Sequence, residues 1–394
     1  MARKAELREV AGRSRSKRSN RTGTEARAVT VGQPQQRDQG SPPLARAVTI
    51  EQIEVAVGSN RGSAFPGAKI RATFRPQPGK DLSSRNGPGK LSDLWKAGDA
   101  QISTDLKDAR RNYREDAADV LDDIAAWSYS DGQTLADALH HRGIIEDDDS
   151  CLQVSVTNQA MLVVATVFFV QSGPVGVLCF RGTEPVNAIN WLTDANVEPK
   201  RFRGRGRTHG GFMRNVRALW SDIYDVVSAA VDGDGGQSLE ALYVAGHSLG
   251  GAMAVLAAAS IFTDPECTTW RPLIRGVYTY GQPMVGDDEF AASCDAAFGG
   301  IHFRHVYQRD LVPRMPPMIA GRFSHSGNEL LGSLDGWSPR RKAVAQAMSL
   351  LSVPIAFAAF FFKQFPLLHD MHLPVSIDDH SPNSYLEAFR AMRE

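Results

Sequence analysis

From about residue 105 onward, short apolar runs of strand length alternate with longer stretches of helical periodicity. The runs at 161–170, 175–180, 242–245, 276–280 and 302–307 are built mainly from Val, Leu, Phe, Tyr and Ala. Between or before them, 105–128, 209–230 and 252–262 space their apolar residues as one helical face does. Strand and helix in alternation predict an α/β protein, with a sheet covered by helices. Residues 385–389 (Tyr-Leu-Glu-Ala-Phe) begin a further helical pattern at the C-terminus.

Two stretches break this rhythm. Residues 1–46 hold eleven Lys or Arg against four acids, with Ser, Pro and Gln and no aromatic residue, the composition of a disordered basic tail. No apolar h-region follows those charges, so the tail is not read as a Sec-type signal peptide, and a cytoplasmic location is expected. A surplus of seven positive charges draws such a tail toward anionic lipid or nucleic acid, or merely solubilises it; no motif for a specific nucleic acid accompanies it. Residues 47–104 stay rich in Gly and Pro and read as a linker or small N-terminal extension with one short strand pair. The rest, 105–394, reads as one domain carrying an insertion at 335–369. Within the insertion, 343–362 are mostly apolar and fenced by Arg340-Arg341-Lys342 and Lys363. Their length and flanks are those of a short membrane segment.

The whole chain is formally neutral over 394 residues, with 42% hydrophobic residues and 35 glycines, enough for one large core. Four cysteines make no disulfide scaffold at this size. Cys179, inside an apolar run, reads as a small buried hydrophobe, and Cys151, Cys267 and Cys294 show no metal-ligand spacing. No H-E-x-x-H, C-x-x-C, P-loop or G-x-G-x-x-G pattern is present, and no metal, nucleotide or other cofactor is implied.

The candidate chemistry lies at Gly246-His247-Ser248-Leu249-Gly250-Gly251. A strand-like run precedes this G-x-S-x-G pentapeptide and an Ala-rich helical pattern follows, the context of a nucleophile elbow. A serine hydroxyl is a weak nucleophile unless a base takes its proton and a third group orients that base. In hydrolases with this elbow, the acid and then the histidine follow the serine. Asp310 stands directly after the run at 302–307, where a loop begins. His380, in the polar loop Asp378-Asp379-His380-Ser381-Pro382, and His325, fifteen positions after Asp310, are both candidate bases. His209 and His247, each beside glycine, read as structural.

Six blocks together resemble the class 3 lipases, the fungal triacylglycerol lipase-like family. They are Phe180-Arg181-Gly182-Thr183, Asn190-Trp191-Leu192-Thr193-Asp194, His209-Gly210-Gly211-Phe212, the elbow, Tyr280-Gly281-Gln282-Pro283-Met284-Val285-Gly286 and Asp310-Leu311-Val312-Pro313. The likeness runs from about Asp108 to the C-terminus, with 335–369 excepted. It implies an α/β-hydrolase fold with a central, mostly parallel sheet, Ser248 as nucleophile and Asp310 as acid. It favours His380 over His325 as base, through the short Asp-His-Ser match and the following Tyr385. It also implies an oxyanion hole from Thr183 and Leu249, and a lid at 184–196 whose apolar face carries Ile189, Trp191 and Leu192, against the alternative of a core-packed helix.

The expected activity is hydrolysis of acylglycerol or phospholipid esters at a lipid surface. A soluble esterase or acyltransferase with the same triad is one alternative, and a catalytically silent membrane-associated scaffold is another. For 343–362 the readings are a re-entrant or interfacial membrane contact, a segment packed on the protein, or a full span. A full span would put Asp310 and His380 on opposite sides of a bilayer and leave His325 as the base.

Overall fold

The computed structural model describes residues 53–55, 68–77, 87–95, 102–158, 163–183, 198–233, 236–318, 321–333, 336–340, 344–346 and 376–393. All of them lie in the unit Val48–Glu394. The basic tail, the expected lid and the apolar stretch 343–362, apart from three residues, lie outside the described residues.

In chain order the strands are β1 (Ile53–Val55), β2 (Ala68–Phe74), β3 (Ser150–Asn158), β4 (Val163–Ser172), β5 (Val175–Phe180), β6 (Lys200–Arg201), β7 (Arg207–Thr208), β8 (Ala241–His247), β9 (Ile274–Tyr280), β10 (His302–Tyr307), β11 (Asn328–Ser333) and β12 (Gly336–Pro339). The helices are α1 (Ala109–Asn112), α2 (Glu115–Trp127), α3 (Gly132–His141), α4 (Gly210–Asp232), α5 (Leu249–Thr263), α6 (Asp288–Phe298) and α7 (Pro382–Arg393). All strands but β6 and β7 join one sheet in the order β1-β2-β3-β4-β5-β8-β9-β10-β11-β12. Its centre, β5 through β11, is parallel, and antiparallel strands extend it on both sides.

Every residue of β5, β8, β9 and β10 is buried, and β5 and β8 accordingly read as near-continuous apolar runs, while β9 and β10 also bury Arg275, Thr279, His302, Arg304 and His305. Alternate residues still go to different layers. Leu178, Phe180, Leu242 and Val244 pack with α4 and α5, whereas Val177, Cys179, Tyr243 and Ala245 pack with α2, α3 and α7. From Leu249 to Ile261, α5 is buried on all sides, so its Ala-rich sequence has no polar face.

Two expectations change. The single helix expected over 105–128 is broken at Tyr113 and Arg114, which are extended. Side-chain anchoring overrides propensity there: the Tyr113 ring sits edge-on to Phe303 with its hydroxyl 3.2 Å from His305 Nε2, and Arg114 Nη1 donates to the Leu94 carbonyl at 2.7 Å. Within 47–104, β2 pairs with β3 along seven residues, so that part is a strand of the main sheet.

An unexpected feature is the burial of Asp119, Asp122 and Asp123 on the inner side of α2. Asp123 pairs with Arg142 (Nη2 to Oδ2 2.7 Å) and Asp119 with Arg393 (2.7 Å), while Asp122 Oδ2 has no hydrogen-bond partner among the described residues. Burial pushes all three carboxyls up, that of Asp119 to about 6 and that of Asp122 well above the usual range. A carboxyl with a raised folded-state pKa makes the folded protein bind more protons than the unfolded chain. Stability is then greatest below the unfolded pKa, near 4, and falls as pH rises toward the folded value. Asp122→Asn should therefore raise the melting midpoint by several degrees, more at about pH 8 than at about pH 5. Equal midpoints for the two proteins at both pH values would contradict this account.

Candidate active site

Ser248 occupies the corner between β8 and α5 with φ 58° and ψ −128°. A non-glycine residue in this region costs about 1–3 kcal/mol and persists only where its surroundings hold it. Here the Ser248 amide donates to the Tyr280 carbonyl at 2.8 Å, and its carbonyl accepts from Gly251 N at 2.9 Å. The flanking glycines are sterically required. A Cβ on Gly246 would stand 2.4 Å from the Gly250 carbonyl carbon, and one on Gly250 would stand 2.0 Å from the Phe180 oxygen. Backbone thus meets backbone where β5, β8 and α5 converge, and the serine is turned out of the corner.

Asp310 enters from the turn after β10. Its Oδ1 accepts from Val312 N at 2.8 Å, and its Oδ2 accepts the Tyr385 hydroxyl at 2.6 Å. Ser376 then stitches the returning chain onto this loop: Ser376 N donates to Arg309 O at 2.8 Å and Leu311 N to Ser376 O at 3.2 Å. Four residues later, on the turn Asp378–His380, the imidazole reaches both partners. His380 Nδ1 is 2.8 Å from Asp310 Oδ2, and Nε2 is 2.8 Å from Ser248 Oγ. Ser248 and His380 are fully buried and Asp310 almost so. With Nδ1–H donated to the carboxylate, Nε2 is left as an acceptor facing the hydroxyl, the arrangement that removes a serine proton during attack.

His325 and His209 stand elsewhere. His325 Nε2 lies 2.7 Å from the Pro313 carbonyl, and burial, with Arg304 nearby, pushes its basicity well down. His209 is buried, stacked on Phe212 with ring centroids 4.0 Å apart.

Thr183 follows β5 at the same corner, and its Oγ1 is buried without a hydrogen-bond partner among the described residues. Leu249 opens α5, so its amide is one of the first-turn donors that the helix itself leaves unused. The expected lid residues Ile189, Trp191 and Leu192 lie outside the described residues. Two contributors escaped the sequence reading. The Tyr385 hydroxyl on Asp310 had a signal in the family likeness around His380 but no role assigned to it, and Tyr129, whose hydroxyl lies 2.8 Å from His247 Nδ1, had no signal.

A serine, histidine and aspartate joined in this way on a strand–elbow–helix unit define an α/β-hydrolase with a Ser-His-Asp triad. Residues 177–320 match the family model described as Lipase (class 3). The matched region contains Ser248 and Asp310 and stops before His380. The lipase of Rhizomucor miehei is 33% identical over 155 residues, covering 39% of this chain and 40% of that protein. Secreted mono- and diacylglycerol lipase 1 of Fusarium solani is 34% identical over 156 residues, covering 39% and 42%. Among solved structures, the native Rhizomucor miehei lipase propeptide complex aligns at 21% identity with a TM-score of 0.48, over 78% of this chain and 93% of that one. The alignments span about two fifths of the length of these curated relatives.

Proposed function

We propose that the protein is a serine carboxyl-ester hydrolase of lipase type, acting on acylglycerol or phospholipid esters at a lipid surface. The observation that carries the reading is the continuous hydrogen-bonded path from Ser248 Oγ through both nitrogens of His380 to Asp310, buried at a strained elbow. His380 Nε2 takes the Ser248 proton as Oγ attacks the ester carbonyl carbon. The negative charge that develops on the carbonyl oxygen is received by the amides of Thr183 and Leu249 and by the orphaned Thr183 hydroxyl; donors of this kind are worth about 2.7–4 kcal/mol each. When the tetrahedral intermediate collapses, the C–O bond to the alcohol breaks and His380 returns the proton to the leaving oxygen. Water, deprotonated by the same nitrogen, then hydrolyses the acyl-enzyme and restores Ser248. Asp310 orients the ring and stabilises its cationic form.

The lipid preference rests on the family match and on two sequence features, the apolar face with Ile189, Trp191 and Leu192 and the apolar stretch 343–362. We assign the first to a cover over Ser248 and the second to re-entrant or interfacial membrane contact. Among the described residues, no helix is long and apolar enough to cross a membrane.

The deciding experiment compares hydrolysis of a short soluble ester with that of emulsified acylglycerol and phospholipid vesicles. Its arms are the parent, Ser248→Ala, and a variant with 343–362 replaced by a short Gly-Ser loop. The parent should jump in rate when substrate forms an interface, Ser248→Ala should be inert on everything, and the loop variant should keep the soluble ester while losing vesicle flotation. A parent equally active with and without an interface would make it a soluble esterase. A parent inert on every ester, and unlabelled at Ser248 by a fluorophosphonate, would leave a silent scaffold.

A further inference from the structure

His247 is the last residue of β8, so its side chain emerges one position before Ser248 on a strand that is buried throughout. Its ring lies beside that of His380, centroids 4.7 Å apart and planes at 32°, with the Tyr385 ring edge-on at 5.4 Å. Its Nδ1 is 2.8 Å from the Tyr129 hydroxyl, which projects from the turn after α2. The same hydroxyl fills the space beside Gly182, where an added Cβ would stand 2.2 Å from it and 2.7 Å from the His247 carbonyl oxygen. One phenol oxygen therefore touches the loop leading to Thr183 and the imidazole behind His380.

The two hydrogen bonds of His380 leave one motion unrestrained. Both lie in the ring plane, one at each nitrogen, so they set the ring's position but not its tilt about the line between those atoms. A second ring against the face blocks that tilt. We infer that Tyr129 and His247 are positioning residues, a brace in which the tyrosine hydroxyl fixes the His247 ring and that ring holds the His380 imidazole square to Ser248. This rests on the hydrolase reading above.

The brace is also suited electrically to its place. Burial, reinforced by His380, pushes the basicity of His247 well below that of a free imidazole, the backbone of His380 opposing this in part. His247 thus stays neutral when His380 takes up the serine proton, and no like charge meets the new imidazolium. A neutral aromatic face beside a cation is mildly attractive.

The test uses the full-length protein in three variants, His247→Ala, His247→Phe and Tyr129→Phe. It measures kcat and KM on a short soluble ester, the rate of fluorophosphonate labelling at Ser248, and the downfield proton resonance of His380 Nδ1–H. His247→Ala should lower kcat and labelling about 10- to 100-fold with KM within about twofold, since small misplacements of a catalytic group carry penalties of this order. Its downfield resonance should broaden. His247→Phe, which restores a face but no hydrogen bond, should recover most of the loss. Tyr129→Phe should lower kcat about three- to tenfold at an unchanged melting midpoint. The brace is overturned by a His247→Ala protein within twofold of the parent, by a Phe variant as impaired as Ala, or, should Ala not fold, by Tyr129→Phe turning over at the parent's rate. If the parent itself is unlabelled at Ser248, the hydrolase reading fails, and the downfield resonance still judges the brace: an equally sharp signal in the parent and all variants removes it.

Discussion

Replacing Ser248 with Ala should reduce ester hydrolysis by roughly four to six orders of magnitude while leaving the fold intact. His380→Ala should lose a similar amount, because it removes the acceptor 2.8 Å from the nucleophile. Asp310→Asn should lose about 10⁴-fold, since an amide at Oδ2 can hold the imidazole in the wrong tautomer. The double variant Ser248→Ala/His380→Ala should be little worse than either single change, because the groups act as a unit and their effects are not additive. Hydrolysis of a soluble chromogenic ester, with a thermal melt of each protein, measures all of this. A His380→Ala protein with near-parent turnover, beside an inert His325→Ala, would displace the proposed base.

Gly281→Ala should also be damaging, although it touches no substrate. Gly281 has φ 59° in the turn after β9, and a Cβ there would stand 2.8 Å from His380 Cε1 and Nδ1 and 2.9 Å from Asp310 Oδ2. Contacts that short force something to move, and what moves is the pair that orients the base. Backbone strain and overpacking together should cost about 1–4 kcal/mol of stability, and displacement of the ring should lower kcat 10²-fold or more. Gly143→Ala is the matched control. It also has positive φ, 70°, but its added Cβ meets nothing within 4 Å, so it should lose about 1–2 kcal/mol of stability and no activity. If the two alanine variants show the same kcat, the crowding of the triad by residue 281 is not real.

The parts legible in the sequence are those written over short distances along the chain. β5 matches its apolar run residue for residue, because a strand buried on both faces needs continuous apolar side chains; β10 also spans the expected residues, although it buries His302, Arg304 and His305. The elbow was legible for a steric reason: backbones that close admit only glycine at 246 and 250, and that requirement appears as a local pattern. Asp310 could be placed because a loop follows β10 directly.

What the tertiary structure decided was whatever depends on contacts between distant segments. His325 and His380 are equally eligible by chain order. The choice was made by Ser376, which pairs beside Asp310 and delivers His380 to a serine 132 positions earlier. Tyr113 breaks a helix that its own neighbours favour because Phe303 and His305, far along the chain, hold its ring. Asp119, Asp122 and Asp123 look like an ordinary solvated helix face, and distant partners close over it, Arg142 on Asp123 and Arg393 of α7 on Asp119. Residue type and local spacing determined which groups could take part in catalysis here. Long-range packing determined which of them meet, because a hydrogen bond between side chains 70 or 132 positions apart leaves no periodic trace in the sequence between them.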